Sequence, residues 1–337
     1  MNISIEEFFK LRQEIPIADV RSEKEFEEGH VSGAVNIPIL NNEERIAVGT
    51  DYKEKGQAEA IKTGFRLVGP RFLEIVNSAE SLAAGRELLV HCWRGGMRSS
   101  NFCLIIGMAK IKTHQLTGGY KAYRHEALAS YKQPQQFQVI GGYTGSGKSE
   151  ILRALQEKGE QIIDLEDLAR HKGSVFGGLM MPPQPTTEQF QNDLFEALRK
   201  LNPARKIWVE DESIAVGKIF LPSDFWQQMS AAPVYEVDVE KTVRIERLVK
   251  EYGHADKDEF LGAMKGIMKK LGGQHFNVAK EKLFLDDMAG TIDILLNYYD
   301  KAYGTGLLKK QNRIKAKAAW NGNDPLEIAD YLISISV

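Results

Sequence analysis

Residues 91–100 read HCWRGGMRSS, and residues 142–149 read GYTGSGKS. The first run sets Cys92 at the head of a loop rich in glycine and arginine. A thiolate there gains from inward-pointing backbone amides and from the N-terminus of a following helix. Gly95 and Gly96 let the backbone curl around the sulfur without a Cβ in the way. Arg94 and Arg98 add positive charge and bidentate donors for an anionic substrate. The chemistry this implies is nucleophilic, with Cys92 ionising more readily than an ordinary thiol. A buried structural cysteine is the competing reading, and it suits Cys103 better, in the apolar run 102–106.

The second run fits G-x-x-x-x-G-K-[ST] between a strand-like and a helix-like segment, the context this phosphate-binding loop requires. Gly142, Thr144, Gly145, Ser146 and Gly147 offer backbone amides to phosphate oxygens, Lys148 neutralises the outer phosphates, and Ser149 is of the type that ligates Mg²⁺. A carboxylate at the end of a second apolar strand would complete the site. Glu210, Asp211 and Glu212 all stand there, and the sequence does not choose among them. The ligand is equally open, because ATP, GTP and a non-nucleotide diphosphate present the same oxygens.

The elements that must position these groups alternate. Strand-like runs are 17–20, 34–39 and 87–91, the last leading directly into Cys92; helical spacing covers 23–28, 70–84 and 99–109. Such alternation implies a parallel sheet covered on both faces. A polar, proline-bearing stretch at 131–136 lacks apolar periodicity and is read as a linker, with domains over 1–132 and 137–337 and the linker proper at 133–136. The second domain opens with strand 137–140, the Gly-rich loop and helix 148–158. Further strands follow at 161–164, 207–210 and 234–237, and from 241 onward the pattern is mostly helical. The predicted class is α/β, with two parallel-sheet domains and a helical C-terminal part.

Composition bounds the partners. At 337 residues with 43% hydrophobic and 27% charged residues, the chain can bury two cores. A net charge of −2 gives no global basic field, so any polyanion must be held by a local patch. Two cysteines in a loop and an apolar run point to a reducing compartment. The N-terminus is acidic and amphipathic, unlike a signal peptide, and no apolar run approaches the roughly 20 residues of a membrane span. The expected location is the cytoplasm, with no membrane partner.

Residues 17–21 (IADVR) and 26–38 (FEEGHVSGAVNIP), ahead of the cysteine loop, resemble the opening of rhodanese domains. Rhodaneses carry sulfur or selenium on the loop cysteine as a persulfide or its selenium counterpart. Cys92, five residues and Arg98 also match the spacing of cysteine-dependent phosphatases, but the N-terminal motifs favour chalcogen transfer. A rhodanese-like domain followed by a P-loop domain, with the runs 91–99, 116–124, 141–149, 171–177, 183–185 and 209–213, is similar to the bacterial tRNA 2-selenouridine synthases over nearly the whole chain. Lys172 and Asp211 depart from that pattern.

The resemblance implies replacement of sulfur by selenium at C2 of wobble 2-thiouridine in the tRNAs for Lys, Glu and Gln. It implies two steps, S-geranylation from geranyl diphosphate and selenation from selenophosphate. On this reading Cys92 takes selenium as a selanyl-sulfide, with Arg94, Arg98 and the loop amides on the phosphate portion, while the P-loop holds the departing diphosphate. No resident cofactor or metal centre is implied, Mg²⁺ entering only beside the diphosphate. The implied partners are tRNA and an enzyme that makes selenophosphate. The motifs alone also allow a P-loop kinase or NTPase with a sulfur-relay rhodanese domain.

Weaker signals remain. The basic run 308–317, with Tyr298, Tyr299, Tyr303 and Trp320 nearby, reads either as a tRNA-tracking surface or as a solvated basic helix face. Arg244, Arg247 and Lys250 follow helical spacing and pose the same choice. Met264 and Met268 suit a core better than a geranyl pocket. The loop from His171 through Ser174 is placed to cap the phosphate site, and His30 reads as structural.

Overall fold

The computed structural model describes residues 1–336, with the side chains of Leu308 and Lys309 outside the description. The chain forms two compact units, Met1–Ser130 and the residues from Tyr131 onward. Both are α/β.

In the first unit the strands are β1 (Asn2–Ile3), β2 (Ile17–Asp19), β3 (Ala34–Asn36), β4 (Leu88–His91) and β5 (Thr113–Leu116). They pair in parallel in the order β1-β5-β4-β2-β3. Parallel sheets are covered on both faces, and β2 and β4 are accordingly buried at every position. The order switches beside β4, with β2 and β3 to one side and β5 and β1 to the other. Crevices open past the C-terminal strand ends at such a switch, and Cys92 is the next residue after β4.

The helix expected at 99–109 starts earlier, as Met97–Met108, so its N-terminus abuts the cysteine loop. That at 70–84 is Phe72–Ala83, preceded by a 3₁₀ turn at Gly69–Arg71. Helices Asn42–Glu54 and Gln57–Val68 are not foreseen in the sequence. The first has no apolar stripe; a capping box between Asn41 and Glu44 starts it, and Arg71 grips Glu44 at 2.6 Å.

The second unit holds β6 (Gln136–Gly141), β7 (Gln161–Ile163), β8 (Lys206–Glu210), a small antiparallel hairpin of β9 (Ala215–Val216) and β10 (Ile219–Phe220), then β11 (Val234–Asp238) and β12 (Ile314–Ala319). The main sheet is parallel in the order β12-β11-β6-β8-β7. Gln136, inside the stretch read as linker, already belongs to β6. β6 again sits at the switch, and the phosphate loop runs from it into helix Lys148–Glu157. That helix buries Ile151, Leu152 and Leu155, each contributing roughly 1.5–3 kcal/mol of apolar burial.

One expectation is overturned here. The basic run at 308–317 is not a continuous helix face: helix Met288–Lys310 ends within it and Ile314–Ala319 becomes the edge strand beside β11. The alternation Ile314, Lys315, Ala316, Lys317 has the period of a strand, and Lys317 reaches Glu236 at 3.0 Å. Among the described residues no helix is long and apolar enough to cross a membrane.

Candidate functional site

Cys92 is 3% exposed, and its Sγ lies 3.2 Å from the Ser99 hydroxyl. Burial pushes the thiol up, but the Ser99 hydroxyl and the backbone amides of Ser99, Arg94 and Gly96 outweigh it and hold the group below the ordinary thiol value. The amides come from a loop that closes on itself and from the first turn of helix Met97–Met108. The Gly96 carbonyl lies 3.0 Å from the same hydroxyl and competes with the sulfur for its single proton, so hydroxyl, loop and sulfur form one cluster.

The arginines of the loop divide. Arg98 makes a two-pronged pair with Glu25, at 2.5 and 3.2 Å, and Glu25 is further held by Arg45 and by the cap at Ser22. Burial opposes the charge on Arg98, and the Glu25 carboxylate more than offsets it and keeps the guanidinium protonated. Arg94 is exposed at the lip. Below the loop, Arg21 and Asp19 form a buried bidentate pair, and Arg21 stacks 3.9 Å over the Tyr120 ring. His91 is fully buried, 3.8 Å from Asp19, and burial holds its pKa below the ordinary imidazole value against the pull of the Asp19 charge. His30 stacks on Phe26, a structural role.

A second segment braces the loop. Tyr120 and Lys121 donate backbone N–H groups to the carbonyls of Cys92 and Trp93 at 2.8 and 2.9 Å, and the Gln115 amide donates to the Gly95 carbonyl at 2.7 Å. The approach is so close that a Cβ on Gly119, whose φ is +60°, would strike the Cys92 carbonyl and the Gly95 nitrogen. Glycine is required there.

In the second unit Gly142, Thr144, Gly145, Gly147, Lys148 and Ser149 line a cleft of about 720 Å³. Ser146 is turned inward, its hydroxyl buried without a hydrogen-bond partner among the described residues. Ser149 donates to Glu166 at 2.8 Å, and the Gly142 N–H donates to the Tyr303 hydroxyl at 2.5 Å. Arg244 anchors the loop from below: it donates to the Thr144 carbonyl at 3.2 Å and grips Asp300 with two bonds of 2.8 Å. Arg247 lies against Gly147, paired with Glu150 and stacked 4.9 Å over Trp320.

The three candidate carboxylates separate by environment. Glu210 is fully buried and does not line the cleft; it accepts from the Leu165 N–H at 3.0 Å. Burial, with the charges of Asp164 and Glu166, drives its carboxyl well above the ordinary range. Asp211 is taken by Lys310, at 2.6 and 2.5 Å. Glu212 lines the cleft, and burial together with the Glu166 charge pushes it up to about 8, against the pull of Lys148. Glu166 was not singled out in the sequence, although its place in the first turn of the helix after β7 signals a strand-end acid.

The His171 loop does lie on this site. A Cβ on Gly173 would come within 2.6 Å of the Glu212 carboxylate and 3.1 Å of Glu166. Lys172 pairs with Glu251, and both line the cleft. Lys250, Tyr299 and Tyr303 line it too, whereas Arg244 and Trp320 are buried and do not offer themselves to a polyanion surface. Of the basic run, Leu308 and Lys309 lie outside the described side chains. Met264 is core, packed with Phe260 and Tyr252, and Met268 is exposed away from the cleft lining.

Comparison with known proteins bears on both units. A Rhodanese-like domain family matches residues 4–126, and the family described as tRNA 2-selenouridine synthase AAA domain matches residues 135–332. A tRNA 2-selenouridine synthase of Sulfurovum sp. is 36% identical over 334 residues, 89% of this chain and 90% of that one. Its namesake in Serratia proteamaculans is 33% identical, covering 96% of this chain and 94% of the relative. That of Nitrosomonas europaea is 32% identical over 80% of each.

Proposed function

This chain belongs to the tRNA 2-selenouridine synthase family, and from that premise we propose that it replaces sulfur by selenium at C2 of a wobble 2-thiouridine, in two steps served by its two sites. The observation that carries the reading is that one chain holds both a thiol cradled by amides and a phosphate-loop cleft. The uridine thiocarbonyl is a poor leaving group, and alkylation turns it into a leaving thiol.

In the first step the base sulfur attacks the terminal carbon of geranyl diphosphate, the carbon–oxygen bond breaks, and diphosphate departs with the electron pair. The amides of the P-loop and Lys148 stabilise the charge that develops there. Glu212, protonated at neutral pH, faces the same cleft and can donate to the departing oxygens. Tyr252, Tyr299, Met181 and Leu248 supply apolar surface beside the phosphates for a prenyl chain. Ser149 and Glu166, already in contact, are oxygen donors of the kind Mg²⁺ accepts beside phosphates, and that ion would add neutralising charge. In the second step selenium from selenophosphate takes the place of the geranylthiol at C2, with the Cys92 loop acting on the selenophosphate. The substrates are the tRNAs for Lys, Glu and Gln, the working partner is the source of selenophosphate, and the setting is the cytoplasm.

The test is nucleoside analysis of 2-thiouridine tRNA incubated with the full chain. Geranyl diphosphate alone should give the S-geranyl nucleoside, and later addition of selenophosphate should convert it to 2-selenouridine. Steady ATP or GTP hydrolysis with neither nucleoside formed would point instead to a P-loop NTPase.

A further inference from the structure

The rim of the Cys92 loop presents an aromatic ring to solvent. Trp93 follows the cysteine directly and is 36% exposed, whereas Trp208 and Trp320 are 0% and 6% exposed. The indole is nevertheless held in place. It rests on the buried Tyr120, with ring centroids 5.6 Å apart, and its centroid lies 5.9 Å from the guanidinium of Arg21, which is itself fixed by Asp19. Its backbone carbonyl accepts the Lys121 N–H at 2.9 Å. A large ring supported from beneath and open above has the form of a platform.

Cations flank the ring. Arg94 is the next residue in the chain, and Lys121 is bonded to Trp93 through its backbone, so both issue from beside the indole. Both are exposed, and among the described residues neither forms an ion pair. Arg98, by contrast, is taken by Glu25. In a chain of net charge −2, a polyanion has to be held by a local patch of this kind. An aromatic face between free cations suits single-stranded nucleic acid, whose bases stack on the ring while Lys and Arg follow the phosphates.

We propose that Trp93 is the stacking platform for the unpaired wobble base of the tRNA, with Arg94 and Lys121 on the neighbouring phosphates. The base is thereby presented one residue away from the sulfur that serves selenation. This inference rests on the functional reading above, in which the Cys92 loop acts in the second step. The geranyl chain is apolar too, but a hydrocarbon gains nothing from two free cations beside it, whereas a nucleotide uses both ring and charge. Stacking needs a π-face, so phenylalanine can replace the indole and an aliphatic side chain cannot.

The experiment uses the full chain, tRNA bearing S-geranyl-2-thiouridine, and selenophosphate. Wild type is compared with Trp93→Phe, Trp93→Leu and Trp93→Ala in kcat/KM for selenation, and iodoacetamide labelling of Cys92 against pH is followed in each. Trp93→Ala and Trp93→Leu should both lose ~10–100-fold, the loss expected for one stacked base, while Trp93→Phe keeps most of the rate. The labelling midpoint should stay in place in all three. Arg94→Ala and Lys121→Ala should each lower the slope of log Kd for this tRNA against log salt by about 0.7, one phosphate contact apiece. Trp93→Leu working at the wild-type rate would overturn the proposal, and its loss in Trp93→Ala alone would assign the ring to the prenyl chain. A rate loss that tracks a shifted labelling midpoint would also overturn it, making the ring a prop for the thiol. Unchanged salt slopes would remove the two cations from the phosphates and contradict the platform. Failure of the wild type to make any 2-selenouridine from geranylated tRNA is a separate result, and would strike the functional reading itself.

Discussion

Replacing Gly119 by alanine tests how the thiol loop is held. The residue's φ of +60° is a conformation that costs a residue with a Cβ about 1–2 kcal/mol. The added carbon would also press on the Cys92 carbonyl and the Gly95 nitrogen and come within 2.9 Å of the Arg94 nitrogen. These are backbone atoms that no rotamer change can move away. The two N–H bonds from Tyr120 and Lys121 to the loop carbonyls must lengthen or break, at about 0.5–1.5 kcal/mol each. Together this is roughly 2–5 kcal/mol, a fall in the melting temperature of the first unit on the order of 10 °C. Gly33→Ala is the control, since its φ is +82° but nothing lies within 4 Å of the added carbon. Scanning calorimetry reads the stability, and iodoacetamide labelling against pH, followed on the Cys92 peptide, reads the thiol. Gly119→Ala should move the labelling midpoint up toward that of an ordinary thiol, because the amides no longer converge on sulfur. Gly33→Ala should leave it in place. If the two variants share one stability loss and one labelling curve, the brace is not what holds the amides on sulfur.

Three further outcomes are expected. Lys148→Ala should lower geranyl transfer by ~10²–10³ in kcat while leaving selenation of already geranylated tRNA intact; an unchanged geranyl rate removes the P-loop from that step. Glu212 keeps in the folded chain, up to about pH 8, a proton that the unfolded chain surrenders near 4.5. The native state thus binds more protons across that interval, and the stability of the second unit should fall as pH rises through it and level off above. Glu212→Gln should flatten the melting-temperature slope, and an unaltered slope would assign the titration to another group. Arg21→Met should cost about 3–5 kcal/mol in denaturant unfolding by stranding Asp19 in the core beside His91, with Asp19→Asn in the same chain recovering part of it.

What could be read from the residues was what short-range spacing encodes. The cysteine loop and the phosphate loop each lie within ten residues, and their glycines, basic side chains and flanking strands state a local geometry. The parallel α/β class follows from the alternation of runs such as 17–20 and 87–91 with helical spacing. What was not legible depends on distant partners. Glu25 claims Arg98 from 73 positions away, and nothing near either residue announces it. The choice among Glu210, Asp211 and Glu212 is made by the Leu165 amide and by Lys310, both remote in sequence. Helix Asn42–Glu54 was missed because its capping and its ion pair to Arg71, not an amphipathic stripe, define it. The edge strand at Ile314–Ala319 is different: its period-2 alternation was present in the sequence but hidden under a count of basic residues.

The most direct test of the division of labour starts from tRNA that already bears S-geranyl-2-thiouridine. Wild type and Cys92→Ser are each given selenophosphate, and the nucleosides are separated and weighed by mass spectrometry. The expected result is 2-selenouridine from the wild type and untouched geranylated nucleoside from Cys92→Ser, which should still geranylate fresh thiouridine tRNA at the normal rate. Formation of 2-selenouridine by Cys92→Ser at the wild-type rate would contradict the account.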